Sequence, residues 1–153
     1  MNRILITATT IGVVGLAAVA ISAQHESGGM HHPAKISKDD AAGKIFERAD
    51  MIETDHGDHV TLDVTTLLSS DKKFASGMYR SGKVRSVIDE PYGVDEFMFF
   101  LEGGVTLTSS DGTVTEINAG EAVTIPKEWM GVWDTDGYMK IWVIYSEDGS
   151  GLL

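Results

Sequence analysis

The sequence feature that most limits the fold is the pattern of residue types from about Val60 onward. Short runs of β-branched and aromatic residues alternate there with turn residues, and no helical periodicity separates the runs. Strands spaced roughly 8 to 12 residues apart in this way are typical of an antiparallel barrel or sandwich. Because 153 residues is about the length of one domain, the sequence predicts a single all-β domain.

Turn residues mark several of the strand boundaries. Asp111-Gly112 is a β-hairpin signal between the runs at 105–108 and 114–117. Ala119-Gly120 precedes another short run at 122–125, and residues 60–64 alternate as a strand does. We expect the last strand at about 139–145.

A short helix is expected before the first strand. Ser37 and Asp40 have the spacing of a capping box, and apolar residues follow at helical spacing at 41, 42, 45, 46 and 49. Gly43 lies in the middle of this helix, where it costs about 1 kcal/mol.

The N-terminus has the build of a secretory signal peptide. Arg3 precedes an uncharged, mostly apolar stretch that ends in small residues, and we expect cleavage after Ala23. The stretch is almost long enough for a retained membrane anchor, which is the alternative. If the signal peptide at 1–23 is cleaved, we expect an exported, periplasmic protein that has no membrane partner. The mature chain then comprises a flexible lead-in at 24–36 and one domain at 37–153.

Composition excludes several classes of function. The formal net charge is -11 and no Lys- or Arg-rich run offsets it, so nucleic acid is not an expected partner. The chain has no cysteine, which excludes disulfides, thiolate metal sites and a cysteine nucleophile. The remaining chemistry must come from carboxylates, five histidines, lysines, tyrosines and other aromatic residues.

Two strands are apolar at every position, namely 97–101 and 141–145. Neither can have one face in water. One explanation is that a second sheet or the N-terminal segment covers the outer face. The other explanation is a homodimer, in which a second copy of the chain covers this face. We expect such a homodimer.

Two spacings carry a resemblance to a known family. Glu96 is followed after six residues by Gly103, and Gly120 is followed after five by Pro126, with a β-hairpin between them. These spacings resemble halves of the two cupin motifs. The resemblance implies a single-domain cupin, a jelly-roll β-barrel, with its motif-bearing core at about 74–146.

A narrower group is more similar still. The relevant segments are 92–97, 101–103, 125–126, Gly131, Trp133 and 140–144. They resemble the small cupins typified by the cupin domain of (S)-ureidoglycine aminohydrolase and by the ethanolamine-utilisation cupins.

The resemblance also shows what is missing. Metal-binding cupins hold a divalent metal with three His and one Glu. Here the first two His positions fall on Glu90 and Tyr92, or on Asp89 and Pro91, and the last falls on Gly131. Only Glu96 remains, so we expect no metal cofactor.

Three other sources of metal ligands stay open as alternatives. A hard cation could be held by Glu90, Asp95 and Glu96. The pair His56 and His59 lies in a predicted turn, where histidines are more often solvated than ligating. His31-His32 in the lead-in is the weakest of the three sources.

Strand parity places Glu96, Met98 and Phe100 on one face, predicted to line the barrel. Glu96 is the candidate catalytic acid or base; alternatively it is a structural acid paired with Lys140, Arg80 or Tyr79. The candidate ligand-binding residues are Glu90, Tyr92, Met98, Trp133, Lys140 and Tyr79.

Three functions compete. The first is binding of a small polar molecule in the barrel. The second is a hydrolase or isomerase in which Glu96 moves a proton on a ureido, amino or sugar-like substrate, an activity that the resemblance to ureidoglycine aminohydrolase implies. The third is a non-catalytic sensor or accessory module.

Overall fold

The computed structural model describes residues 32–152. The predicted signal peptide at 1–23 and residues 24–31 of the predicted lead-in lie outside this range. Within it, no helix is long and apolar enough to cross a membrane. The elements are α1 (Lys38–Ala41), a 3₁₀ helix (Lys44–Glu47), β1 (Ile52–Asp55), β2 (Val60–Leu68), β3 (Phe74–Ser81), β4 (Val84–Ile88), β5 (Asp95–Ser109), β6 (Val114–Asn118), β7 (Ala122–Ile125) and β8 (Gly131–Tyr145).

The capping box at the start of α1 is confirmed. The Asp40 backbone N–H donates to Ser37 Oγ at 3.1 Å, and Ser37 N–H donates to Asp40 Oδ2 at 2.8 Å. The prediction of one helix running through Gly43 is wrong. Gly43 adopts a left-handed conformation with φ of 105°, so the chain continues as a separate 3₁₀ turn that buries Ile45 and Phe46.

The strands form one antiparallel sheet that folds over on itself. Its order is β1-β2-β3-β8-β5-β6, with β4 pairing to β8 and β7 pairing to β5. β5 and β8 are 15 residues each, and their two halves belong to opposite layers. In β8, residues 138–145 pair with β3 and residues 131–135 pair with β4. The all-β jelly-roll architecture predicted from the sequence is therefore confirmed.

The bend between the layers explains the glycine of the first motif. Gly103 has a φ of 64°, and a Cβ there would lie 2.0 Å from the carbonyl oxygen of Gly137 on the facing strand. The register of β5 against β8 shifts on both sides of this point. Two long strands can bend together here because neither carries a side chain at the contact.

The last strand begins at Gly131, earlier than the expected start near Met139. Its first part alternates buried Trp133 and Thr135 with exposed Asp134 and Asp136. Because of these charged residues, the sequence pattern did not indicate that this segment is part of a strand with one face in water. The predicted Asp111-Gly112 hairpin is confirmed, with Ser109 N–H donating to Thr113 carbonyl oxygen at 2.8 Å.

Two hydrophobic clusters hold the domain together. The larger cluster lies between the two layers and includes Met98, Phe100, Trp133 and Trp142. The smaller one lies on the outer face, where the N-terminal segment covers part of the sheet; its members are Ile45, Phe46, Val64, Met78 and Met139, with Ile36, Met51, Leu62, Leu101 and Ile141 packed against them.

The rest of that outer face is uncovered. Phe74, Phe97 and Tyr145 are 39%, 43% and 48% exposed. Phe74 lies opposite Tyr145 on β8, and Phe97 lies opposite Val143. The N-terminal segment therefore accounts for only part of the two wholly apolar strands.

Candidate functional site

The candidate site lies on the inner face of the sheet, where four residues form a row across neighbouring strands. Asp63 on β2 pairs with Tyr79 on β3, Tyr79 with Lys140 on β8, and Lys140 with Phe100 on β5. Directly opposed residues project from the same face of a sheet. The row therefore brings an acid, a phenol and an ammonium group into the barrel.

Glu96 and Lys140 form a buried ion pair. Lys140 Nζ lies 2.7 Å from Glu96 Oε1, and the two side chains are 7% and 5% exposed. Lys140 Nζ also donates to Met98 Sδ at 2.9 Å. The predicted parity of Glu96, Met98 and Phe100 is confirmed, since all three are buried.

Tyr92 donates a hydrogen bond from its hydroxyl group to Glu96 Oε2. Burial, and then the Glu96 charge, raise the pKa of Tyr92 well above its ordinary value. The phenol therefore keeps its proton and remains a donor. As a result both oxygens of Glu96 are occupied, one by an ammonium and one by a hydroxyl group.

Aromatic rings surround the ammonium group. Lys140 Nζ lies 5.6 Å from the ring centroid of Tyr79, 5.3 Å from that of Trp133 and 5.7 Å from that of Tyr138. A cation within about 6 Å of a ring face is attracted by the ring quadrupole. The rings therefore add to the stabilisation that Glu96 gives to the charge of Lys140.

Asp63 is a partly buried acid that the sequence reasoning did not single out. Trp142 Nε1 donates to Asp63 Oδ1 at 3.2 Å. Burial raises the pKa of Asp63 from 3.8 to about 6; the Trp142 hydrogen bond and Lys140 oppose this rise, and Glu96 adds to it. A carboxyl group with this pKa changes charge near neutral pH.

The alternation of β2 concealed Asp63. Thr61 and Asp63 share one face of the strand, and Leu62 and Val64 share the other. Such a strand normally turns its polar face to water. Here the apolar face packs under the N-terminal segment and Thr61 is buried inside the barrel. No local signal distinguishes these two arrangements.

The structure brings together most of the predicted site residues. Tyr92, Met98, Trp133, Tyr79 and Glu96 each contact Lys140 or Glu96 directly. Glu90 is exposed in the loop between β4 and β5. Arg80 instead lies on the outer face, with its guanidinium 5.2 Å from the Phe46 ring centroid.

The site does not fit the divalent metal that the motif resemblance implies. Among residues 32–152 no three His, Cys, Asp or Glu side chains converge in a way that could hold a metal ion. At Gly131, the former imidazole position, a Cβ would lie 2.2 Å from the Thr108 carbonyl oxygen. A histidine there would need the backbone to move.

The alternative metal ligands lie elsewhere. Asp95 accepts a hydrogen bond from Lys127 N–H at 3.0 Å, apart from the Glu96 pair. His56 and His59 stack with ring centroids 4.5 Å apart in the β1–β2 turn, where they contact Thr61 and Asp58. His32 is exposed, and His31 is outside the described residues.

A second concave region lies at the end of the sheet near the β8 C-terminus. It is an open cleft of about 480 Å³, lined in part by Lys73, Asp95, Lys127 and Glu147. Lys127 Nζ is 3.1 Å from Glu147 Oε2. These charges are mostly solvated, so they hold a ligand less firmly than groups inside the barrel.

Comparison with known proteins supports the assignment of the fold. Residues 69–140, just under half of the chain, match the family model for the EutQ-like cupin domain. No curated protein matches the sequence.

Two solved structures illustrate the likeness. A protein of unknown function from Pseudomonas syringae pv. tomato has a TM-score of 0.56 at 14% identity over 61% of this chain and 43% of its own length. The chain thus spans less than half of that protein. The EutQ protein of Clostridium difficile has a TM-score of 0.51 at 19% identity over 65% of this chain and 79% of its own. At these identities the likeness concerns the fold alone. Together with the family match, it shows that the described residues have the cupin fold and that residues 69–140 match the EutQ-like cupin domain.

Proposed function

We propose that this protein binds a small polar molecule on the inner face of its barrel, and that Asp63 is the group that recognises it. The observation that carries the proposal is the charge balance of the inner face. Glu96 and Lys140 neutralise one another at 2.7 Å. The Asp63 carboxylate is left with the Trp142 N–H as its side-chain hydrogen-bond donor, and among the described residues no cationic side chain forms an ion pair with it.

Such a carboxylate is costly to the fold when it is ionised. The pKa of Asp63 is raised to about 6 because burial disfavours its ionised form. A ligand that brings N–H or O–H donors, or a positive charge, would remove the cost of ionising Asp63. Perturbed acids of this kind are concentrated at functional sites. The neighbouring Tyr79 and Trp142 supply apolar surface for the ligand.

A thermal-shift screen of the purified protein against small acids, amines, ureides and sugars tests this proposal, because a specific ligand stabilises the folded form by mass action. We expect a compound that raises the Tm of the wild type and of the exposed control Asp89→Asn, but not that of Asp63→Asn. The proposal fails if no compound raises the Tm, or if every active compound stabilises Asp63→Asn as well as the wild type.

Proton transfer by Glu96 has weaker support. A general base must lie within hydrogen-bond reach of the substrate proton that it removes. Glu96 is almost fully buried, and its two oxygens already accept from Lys140 and Tyr92. These contacts favour a binding role, as in a sensor or accessory module, over the hydrolase or isomerase alternative.

A homodimer is our proposal for the uncovered part of the outer face. The patch formed by Phe74, Phe97, Val143 and Tyr145 runs across β3, β8 and β5, and Asp95 lies at its edge, opposite Tyr145. Two copies of a chain with a net charge of -11 repel one another. A self-complementary contact therefore suits these four apolar side chains, which would meet their own copies across a twofold axis.

Export also remains a proposal. It rests on the uncharged apolar stretch after Arg3 and the small residues before position 24. N-terminal sequencing of the protein recovered from a periplasmic fraction should begin at Gln24. Recovery of an intact Met1 from the membrane fraction would instead indicate a retained anchor.

A further inference from the structure

We propose that the Lys140 ammonium group is a covalently attached replacement for a divalent metal ion, held by the one carboxylate, Glu96, that remains of the metal-ligand motif. The cation of this barrel is then part of the chain itself. Two consequences follow: the barrel needs no divalent ion, and a variant that lacks the Lys140 side chain should accept a small alkylammonium ion in its place. The inference does not depend on any bound ligand.

The path of the Lys140 side chain supports this role. Lys140 lies opposite Phe100, four residues along β5 from Glu96. Four residues of strand span about 13 Å. The Lys140 and Glu96 side chains therefore extend towards each other along the inner face and meet beside Met98, where Nζ lies 2.7 Å from Glu96 Oε1 and 2.9 Å from Met98 Sδ. A flexible, strongly hydrated group is thus fixed in a buried position, which occurs in proteins only when the charge is compensated.

The surroundings of Nζ suit an organic cation and not a metal ion. They consist of one carboxylate oxygen, the Met98 sulfur and the three aromatic rings of Tyr79, Trp133 and Tyr138. Divalent ions need several lone-pair donors at short range. Ring faces supply none, but they attract an ammonium group. Tyr92 points its hydroxyl proton at Glu96 and so uses the second carboxylate oxygen.

The decisive experiment is chemical rescue of Lys140→Ala. We expect its Tm to fall by roughly 10 °C or more, because a buried carboxylate loses its partner. Millimolar propylammonium, which matches the three carbons and the ammonium group that Lys140→Ala removes, should restore several degrees, whereas propanol, which has the same shape without the charge, should not. In the control Lys83→Ala, which removes a solvent-exposed lysine bonded to Asp136, propylammonium should have no effect. Equal effects of propylammonium on both variants, or equal rescue by propanol, would overturn the proposal.

A double-mutant cycle covers the case in which Lys140→Ala does not fold. Lys140→Met and Glu96→Gln each leave one buried charge without its partner, whereas the double variant leaves none. The double variant should have a higher Tm than either single variant. Additive losses of Tm would contradict the proposal.

Metal content gives an independent measurement. Equilibrium dialysis of the wild type against Mn²⁺, Ni²⁺ or Zn²⁺ should leave less than stoichiometric metal, equal in the wild type and Glu96→Gln. One metal ion per chain in the wild type, lost in Glu96→Gln, would refute the replacement.

Discussion

At the scale of single residues, two carboxylates on one inner face have different surroundings. Glu96 faces an ammonium group and a phenol. Asp63 faces Trp142 and Tyr79, with Lys140 and Tyr138 from β8 and Glu96 from β5 contributing to the local field. Lys140 pairs with Glu96, and burial raises the pKa of Asp63 to about 6, so the charge of Asp63 changes near neutral pH. The two acids therefore have separate physical roles.

The pH dependence of stability tests the role of Asp63. Its pKa in the folded protein, about 6, is above the ordinary value of 3.8, so folding favours its protonated form. Stability from this group is present below pH 4 and is lost as the pH rises to about 6, by up to about 3 kcal/mol. Asp63→Asn should therefore be more stable than the wild type at pH 7.5, and should lose this advantage at pH 4.

Urea unfolding of both proteins at the two pH values measures this difference, and Asp89→Asn serves as the exposed control. Because other carboxyl groups titrate in both proteins alike, the comparison isolates Asp63. A difference between the wild type and Asp63→Asn that is the same at pH 4 and pH 7.5 would contradict the assignment.

At the scale of elements, the strands β5 and β8 connect the two layers of the fold and also carry Glu96 and Lys140 of the site. Each strand passes through both layers, so the bend at Gly103 and Gly137 sets how the layers face one another. The Glu96 end of β5 and the Lys140 part of β8 lie on the same side of that bend. A change at the bend therefore acts on the whole barrel.

Two glycines with similar backbone conformations distinguish the stability cost of the close contact at the bend from the cost of backbone strain. Gly103 and Gly112 both have positive φ, 64° and 86°. A Cβ on Gly103 meets the Gly137 carbonyl oxygen at 2.0 Å, whereas one on Gly112 meets nothing within 4 Å. Gly112→Ala should cost about 1 kcal/mol, and Gly103→Ala about 3 kcal/mol or more. Denaturant midpoints compare them, and equal losses would show that the contact at the bend is unimportant.

At the scale of the whole molecule, the N-terminal segment and the uncovered apolar patch share one outer face. Ile45 and Phe46 pack over Met78 and Met139. The sheet beyond them continues with exposed Phe74, Phe97 and Tyr145. Part of the face is thus covered within the chain, and the part around Phe97 is exposed.

Light scattering tests the dimer. The wild type should have twice the mass of one chain, and Phe97→Asp should be a monomer because it places a charge within the contact. Val114→Asp is the matched control, since Val114 is 56% exposed on β6, outside the patch. A monomeric wild type, or a dimer that survives Phe97→Asp, would show that the patch is not the interface.

Sequence alone determined what depends on local chemistry and spacing. The capping box, the Asp111-Gly112 hairpin and the run of β-rich segments follow from neighbouring residues. The spacing of Glu96 and Gly103, together with that of Gly120 and Pro126 across a hairpin, predicted the fold by resemblance; the first spacing reflects the distance from the barrel interior to the bend. Parity also placed Glu96 and Met98 correctly on one buried face.

Tertiary structure alone decided which groups meet and which faces are covered. Lys140 was one of three possible partners for Glu96 in the sequence, and the two are 44 residues apart. Asp63 lies inside the barrel because the N-terminal segment covers the other face of its strand. Alternation defines two faces of a strand, but only the packing of distant segments determines whether water reaches either one.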